Sequence, residues 1–194
     1  MELAKCHAHA LHEDVDRATE VLKHEHRVIE RVLAVVEALA ERPGMPSKEA
    51  WEKAIDLIRN FADKCHHLKE EQILFPALEE HGIPRDGGPV GMMLLEHEEG
   101  RALVRAMAEA LPHATVDLEM EAALKQNARA YLRLLREHIQ KEDEILFNIA
   151  EDVLPPEEQM RLAREFEQHE AEEIGAGVHE KYVKVVQELE QALA

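Results

Sequence analysis

A ten-residue segment of this chain occurs twice, and both copies contain a histidine and a glutamate four residues apart. HHLKEEQILF, which begins at His66, aligns with HIQKEDEILF, which begins at His138, so that Glu70 matches Glu142 at an offset of 72 residues. On an α-helix, residues i and i+4 lie one turn apart on the same face. An imidazole and a carboxylate placed in this way can coordinate one metal ion, or the carboxylate can bridge two. The repeat therefore predicts a paired metal site.

A second pair of residues precedes each copy of the segment. Glu25-His26 matches Glu96-His97 at an offset of 71 residues. Each half of the chain thus has a helix with Glu-His followed by a helix with His-x-x-x-Glu. Two similar helical hairpins with the same ligand types are what a two-fold metal site inside a helical bundle requires.

Helix phase supports the second copy as a core-facing pair. At about 100° per residue, His138 and Glu142 lie on the apolar stripe of their helix. That stripe consists of Tyr131, Leu135, Ile145 and Ile149. Polar groups on a core-facing stripe cost desolvation energy unless they are paired or bound to a metal. A polar pair at a helix margin is the competing interpretation, and the repeat argues against it.

In the first copy of the segment, the sequence leaves open which histidine-glutamate pair faces the core. Both the helix phase and the repeat favour His66 with Glu70, and His67 with Glu71 is the competing register. Asp143 offers the corresponding alternative in the second copy. The apolar stripe that flanks His66 and points away from His67 consists of Ala54, Ile58, Phe61 and Cys65.

The other two long helices each contribute one candidate histidine. His26 borders the apolar stripe of the first helix, whereas His24 points elsewhere, and His97 lies on the stripe of the third. A lone histidine in such a position is more often a hydrogen-bonded core residue than a ligand. Four of them, one per long helix and matched by the repeat, favour a metal site.

The elements that must position these residues are helices. Apolar residues at three- and four-residue steps predict four long helices at about 15–41, 48–81, 90–111 and 117–152, followed by two shorter ones at 156–173 and 178–193. Pro76 is expected to kink the second helix. The predicted fold is an all-α, antiparallel up-down four-helix bundle with two additional C-terminal helices. The predicted domains are an N-terminal extension at 1–14, the bundle at 15–152, and a tail at 153–194 that packs on the bundle or on a partner.

Bulk composition limits the partners. The 194 residues carry a formal net charge of −18, which argues against nucleic acid and anionic membranes because both would be repelled. The apolar runs are too short to span a bilayer, and the first residues lack an apolar segment of signal-peptide length, so export is not expected. Two cysteines, Cys6 and Cys65, suit a reducing compartment. These features predict a cytoplasmic protein.

On these residues the sequence resembles the hemerythrin HHE cation-binding family. The matching pieces are VLKHEHRVIERVL, FADKCHHLKEEQILFPALEEHGIP, GGPVGMMLLEHEEGR and YLRLLREHIQKEDEILF, which together cover most of residues 15–150. The resemblance implies a four-helix bundle around two iron ions joined by carboxylate and oxo or hydroxo bridges. It implies the terminal ligands His26, His66, His97 and His138 and the bridging ligands Glu70 and Glu142.

The chain departs from the oxygen-carrying members of that family. Those proteins have a second histidine four residues after the one in the third helix, where this chain has Arg101, and they end the last motif with His-x4-Asp, where this chain has His138-x3-Glu142. Four histidines and two glutamates are more similar to the iron-sulphur cluster repair di-iron proteins and the iron-sensing hemerythrin domains. A sensing or stress-protection role is therefore expected rather than oxygen transport.

The ligand types also define the expected chemistry. Imidazole and carboxylate without thiolate suit iron, with manganese and zinc as alternatives. Arg101 and Tyr131 are expected beside the metal ligands, where they could orient a bound species. The expected small ligand is dioxygen, peroxide or nitric oxide. The alternatives are a di-iron peroxidase or nitric-oxide reductase, an iron-sulphur cluster repair protein, and an iron-responsive interaction module, and the C-terminal helices could form a homodimer.

Overall fold

The computed structural model describes residues 17–45, 47–175 and 178–193. The predicted extension at 1–14, with Cys6, lies outside them. Among the described residues there is no β-strand, and no helix is both long enough and apolar enough to cross a membrane. The predicted all-α bundle with C-terminal helices is confirmed.

Four long helices form the bundle, and two of them change their winding along their length. The first is α1 (Ala18–Glu41) and the third is α4 (Pro89–Ala110). The second consists of α2 (Lys48–Leu57), π-helical segments at Ile58–His67 and Glu70–Leu74, and α3 (Phe75–Glu80). The fourth consists of α5 (Leu118–Lys141), a π-helical segment at Glu142–Leu146, and α6 (Phe147–Val153). After it come α7 (Pro156–His169), a π-helical segment at Glu170–Ile174, and α8 (Val178–Leu193).

Short polar residues cap the starts of the second and fourth long helices, and a glycine follows the end of the second. The Ser47 hydroxyl accepts a hydrogen bond from the backbone N–H of Ala50 at 3.4 Å, which caps α2. Asp117 caps α5, because one carboxylate oxygen accepts from the N–H of Glu119 at 2.8 Å. Gly82, with φ of 90°, takes the left-handed conformation that ends the second long helix. These residues fix where the second and fourth long helices begin and where the second one ends.

The wide π-helical turns lie at both repeated segments and alter which residues face the core. A π-helix needs more than four residues per turn, so each such turn shifts the side chains that follow relative to α-helical phase. As a result Ile145, predicted for the core stripe, is 52% exposed, while Leu146 is buried. The predicted place of Ile145 in the core is therefore wrong, because the phase of 100° per residue does not hold through Glu142–Leu146.

The hydrophobic core is divided into two clusters by a layer of buried histidines and glutamates. One cluster contains Leu39, Trp51, Phe61 and Tyr131, and the other contains Leu22, Phe75, Met93 and Phe147. In each long helix the buried histidines lie along the chain between residues of the two clusters. The layer is therefore shielded by apolar side chains at both ends.

The C-terminal helices bury their apolar faces on the bundle. Leu162 and Phe166 of α7 belong to the cluster of Phe75, whereas Tyr182 and Val186 of α8 belong to that of Phe61. The tail thus packs against both ends of the core. The predicted domain limits at 14/15 and 152/153 and the homodimer stay predictions.

Candidate metal centre

The carboxylate of Glu142 lies between two of the predicted histidine ligands. Its Oε2 atom is 3.3 Å from Nε2 of His26 and 3.2 Å from Nε2 of His138. All three side chains are fully buried or nearly so. Residues from the first and fourth long helices therefore converge on one carboxylate.

Glu70 has the same relationship to the other two histidines. Its Oε1 atom is 3.6 Å from Nε2 of His66, and its Oε2 atom is 3.4 Å from Nε2 of His97. These side chains are also buried. The two halves of the chain thus build equivalent triads, as their sequence repeat indicated.

The six residues form two groups of potential metal donors that share both glutamates. One group consists of His26, His66, Glu70 and Glu142, and the other of His97, His138, Glu70 and Glu142. Within each group the donor atoms all lie within 4.8 Å of one another. Two metal ions, each with two imidazoles and both bridged by two carboxylates, would use every one of these donors.

The hydrogen bonding of these groups fits a metal site. Both carboxylate oxygens of Glu70 and of Glu142 are buried without a hydrogen-bond partner among the described residues, and so are the Nε2 atoms of His26 and His66. Buried polar atoms in proteins are nearly always paired, and an unpaired carboxylate is especially costly. Cations held among these atoms would remove that cost. The imidazole and carboxylate donors of this centre therefore fit a bound metal cation.

An outer ring of carboxylates orients the four histidines. In each of them Nδ1, the ring nitrogen opposite the centre, contacts a carboxylate oxygen at 2.7–3.0 Å. The pairs are His26 with Asp143, His66 with Glu25, His97 with Glu71, and His138 with Glu96. Histidine ligands of metals commonly donate their second ring N–H to such a group, which fixes the orientation of the ring. The Nε2 atoms consequently point inward.

The four carboxylates of the outer ring also match one another in pairs in the sequence repeat. Glu25 matches Glu96 and Glu71 matches Asp143. The sequence offers Glu71 and Asp143 as alternative ligands. In the structure their carboxylates instead contact histidine Nδ1 atoms, on the side of each ring that faces away from the centre. Glu25 and Glu96 were visible in the repeated Glu-His pairs, but the sequence did not assign them this position.

Each carboxylate of the outer ring has a cationic partner. Lys69 Nζ lies 2.5 Å from Glu25, and Arg101 Nη2 lies 2.7 Å from Glu71. Lys141 pairs with Glu96, and Arg27 pairs with Asp143. Arg101, expected beside the ligands, thus acts on His97 through Glu71. Lys69 and Lys141 are equivalent in the sequence repeat, and each pairs with the equivalent glutamate, Glu25 or Glu96.

His67 is a fifth buried histidine at this centre. Its ring stacks on that of His97 with centroids 3.9 Å apart, and its donor atoms lie within 4.8 Å of those of His97 and His138. Neither of its ring nitrogens has a hydrogen-bond partner within the described ranges, and Asp63 lies 3.7 Å from Nδ1. The sequence posed His66 and His67 as alternatives, but the π-helical turn at Ile58–His67 buries both.

Tyr131 and Cys65 lie beside the centre rather than in it. Tyr131 is buried near His67, and no hydrogen bond joins its hydroxyl to a predicted ligand among the described residues. The thiol of Cys65 lies 3.8 Å from a carboxylate oxygen of Glu170 and groups with Glu25, away from the histidine Nε2 atoms. Burial raises the pKa of this thiol, which keeps it protonated.

The electrostatics of the centre differ between its two glutamates. Burial opposes ionisation of both, and for Glu70 the nearby charge of Glu142 adds to that effect and raises its pKa well above the usual range. For Glu142 the charge on His138 outweighs burial and lowers the pKa well below the usual range. Burial also disfavours the charged form of His138, but Glu142 and Glu96 raise its pKa to about 9. Without a metal, these effects favour the protonated forms of Glu70 and His138.

Comparison with known proteins agrees with this geometry. Residues 17–150 match the model of the hemerythrin HHE cation-binding domain, and the chain belongs to that family of metal-binding proteins. Uncharacterized proteins of Mycobacterium bovis and Mycobacterium tuberculosis are 30% identical over 181 residues, which is 91% of this chain and 70% of theirs.

A more distant relative has a descriptive name. The iron-sulfur cluster repair protein YtfE of Edwardsiella ictaluri is 31% identical over 98 residues, covering 49% of this chain and 44% of its own. No solved structure matches the chain closely enough to be counted as similar.

Proposed function

We propose that this protein binds two iron ions in the histidine-glutamate layer. His26 and His66 would hold one ion, His97 and His138 the other, and Glu70 and Glu142 would bridge them. The observation that supports this assignment is the pair of buried donor groups that share both glutamates. The four carboxylate oxygens of these glutamates have no hydrogen-bond partner in the part of the chain that the structure describes.

The donor chemistry supports iron over the alternatives manganese and zinc. The centre has imidazole and carboxylate donors without thiolate, which by itself discriminates poorly among these metals. Paired carboxylates in a bundle core are typical of redox-active pairs such as di-iron. Similarity across 49% of the chain to a protein named for iron-sulfur cluster repair also supports iron.

We further propose that the protein takes up dioxygen, peroxide or nitric oxide at this centre, in sensing or in protection from oxidative or nitrosative stress. A di-iron centre supplies redox chemistry toward such ligands. The protein itself fixes the imidazoles through the outer carboxylates and excludes bulk water with the two hydrophobic clusters. Arg101 stands where oxygen carriers have another histidine, which favours a reactive or sensing centre over a carrier.

Metal analysis with matched histidine variants tests the assignment. We expect two iron ions per chain in protein loaded anaerobically, and an ultraviolet-visible spectrum that changes on exposure to oxygen. His26→Ala should lose at least one ion. His24→Ala is the control, because His24 lies two residues earlier on the same helix with an exposed side chain. Equal iron content in the two variants, or no iron in the unaltered protein, would refute the proposal.

An enzymatic role is a second candidate, favoured by the similarity to YtfE. The protein would then consume peroxide or nitric oxide as a peroxidase or reductase, or take part in cluster repair. Steady-state consumption of either compound that is lost in His138→Ala and kept in His24→Ala would support this role. Stoichiometric binding without turnover would favour sensing.

A third candidate is an iron-responsive interaction module without catalysis. Glu170 of the tail contacts Lys69, which contacts Glu25 on His66, so the tail is joined to the centre by a continuous chain of polar contacts. Limited proteolysis at 153–194 with and without iron distinguishes this role. Equal cleavage rates in the two states would exclude metal-dependent exposure of the tail.

A further inference from the structure

The C-terminal tail contacts the side chains around the candidate metal centre through Glu170. One carboxylate oxygen of Glu170 lies 2.9 Å from Nζ of Lys69, and this ammonium lies 2.5 Å from Oε1 of Glu25. The other oxygen of Glu25 lies 2.9 Å from Nδ1 of His66. A polar chain of three contacts, Glu170–Lys69–Glu25–His66, therefore joins the tail to a predicted metal ligand.

Packing within the tail and contacts with the second long helix hold Glu170 in this place. Phe166, one turn earlier in α7, is 1% exposed and belongs to one of the two hydrophobic clusters. The thiol of Cys65, which precedes His66, lies 3.8 Å from the same carboxylate oxygen of Glu170 that contacts Lys69. Glu170 thus meets the second long helix at two residues that lie on either side of His66 in the sequence.

The polar chain runs through the interior of the protein, so the charge of Glu170 has a strong effect on its neighbours. The side chains of Lys69 and Glu25 are 1% and 3% exposed, and that of Glu170 is 23% exposed. A buried ammonium depends on charged partners inside the protein, because water cannot replace one that is lost. Two carboxylates and one ammonium also leave one net negative charge beside His66. That charge favours a cation at this histidine, and neutralising Glu170 would remove it.

The other three predicted histidine ligands have no such link to the tail among the described residues. The repeat equivalent of His66 is His138, whose carboxylate partner pairs with Lys141, and the side chain of Lys141 is 35% exposed. The remaining two carboxylates of the outer ring pair with Arg27 and Arg101. Within the described ranges, all ion-pair partners of these arginines lie in the four long helices. The tail therefore contacts the surroundings of one histidine of the four.

We propose that the tail controls metal binding at one of the two positions, the one that contains His66. Through Lys69, a packed tail holds Glu25 against the His66 ring and places a negative charge beside it. Both effects raise the affinity of this position for a cation, because an oriented imidazole with a carboxylate partner is the better ligand. The other position, with His97 and His138, is independent of the tail. The metal in this inference rests on the proposed function, whereas the control of the His66 ring by the tail does not.

Iron binding by a matched pair of tail variants tests this control. Glu170→Gln removes the charge that contacts Lys69, and Glu172→Gln removes a charge from an exposed residue two positions later. In anaerobic competition with a chelator, we expect Glu170→Gln to lower the affinity for one ferrous ion about tenfold and to leave the other unchanged. Glu172→Gln should change neither. Equal affinities in the two variants, or an equal loss at both positions, would overturn the proposal.

Removing one position at a time identifies the position that the tail controls. His97→Ala keeps the position of His26 and His66, and His26→Ala keeps the position of His97 and His138. Adding Glu170→Gln should lower the affinity for the remaining ion about tenfold in the first background and not in the second. A general loss of stability would act on both backgrounds alike, so an equal effect in the two would contradict the proposal.

A measurement on the metal-free protein separates this proposal from the proposed function. Nuclear magnetic resonance detects the Nδ1–H of His66, identified by the loss of its signal in His66→Gln. This proton should exchange with solvent about tenfold faster in Glu170→Gln than in Glu172→Gln. If the protein takes up no iron but shows this difference, the proposed function fails and the control by the tail stands. If it takes up two iron ions but the two exchange rates are equal, the control by the tail fails.

Discussion

Lys69 Nζ lies 2.9 Å from a carboxylate oxygen of Glu170, so a residue of the C-terminal tail contacts a lysine that is only 1% exposed. The same lysine binds Glu25, which orients His66. Its counterpart in the repeat, Lys141, is 35% exposed in its side chain and pairs with Glu96 without a tail residue. The tail therefore makes the two otherwise similar halves of the centre unequal.

Removing the tail carboxylate should weaken the protein on one side of the centre. Glu170→Gln leaves the buried ammonium of Lys69 with one charged partner, so we expect the free energy of unfolding of the metal-free protein to fall by about 1–3 kcal/mol. Glu172→Gln is the control, because Glu172 is exposed and, among the described residues, accepts one hydrogen bond, from Gln168. Urea denaturation measures both. Similar midpoints for the two variants would contradict a stabilising contact at Glu170.

Neutralising Glu25 and neutralising Glu96 should have different effects on the stability of the protein. Glu25→Gln and Glu96→Gln should each lower the affinity for one metal ion by about 10- to 100-fold, because each carboxylate orients one histidine. Glu25→Gln should also destabilise the metal-free protein more, because Lys69 is buried and Lys141 can reach water. Competition with a chelator and urea denaturation give the two quantities. Equal stability of the variants would show that burial of Lys69 has no energetic consequence.

Metal binding should release protons in a pH-dependent way. In the metal-free centre the pKa of His138 is raised to about 9, and that of Glu70 is raised well above the usual glutamate range, so both groups hold protons that a bound metal must displace. We expect about one proton released below about pH 9, from His138, and a larger number as the pH falls and Glu70 is protonated. Calorimetry in buffers of different ionisation enthalpy measures the number. Proton release of zero across this range would contradict the proposed ligand set.

The π-helical turn in the fourth long helix can be tested through two adjacent residues. Leu146→Ala should destabilise the protein by about 2–5 kcal/mol, because it removes a buried side chain from the core. Ile145→Ala should change the stability by less than about 1 kcal/mol, because Ile145 is 52% exposed. Regular α-helical phase places both residues on the apolar face and predicts a substantial loss of stability for each variant. Thermal or urea denaturation of the two variants decides between the windings.

The sequence was sufficient for the fold and for the six residues that meet in the histidine-glutamate layer. His26 and His97 lie in regular α-helices, where phase at 100° per residue holds, and the repeat located the His-x-x-x-Glu pairs independently of phase. The prediction was wrong at Ile145 and left the position of His67 open. Both residues depend on π-helical turns, which no sequence pattern indicates. The contact of Glu170 with Lys69 joins residues 101 positions apart and follows from tertiary packing, which the sequence does not display.

Because a polar layer divides the core into two clusters, the two helices of the C-terminal tail pack on different sides of that layer. α7 belongs to the cluster on one side of the layer and α8 to the cluster on the other, with Glu170 between them beside Lys69. The tail therefore contacts both sides of the polar layer, where apolar contacts between the two clusters are interrupted. A shift of one cluster relative to the other would misalign the four imidazoles, so amide hydrogen exchange in α7 and α8 should report how rigidly the centre is held.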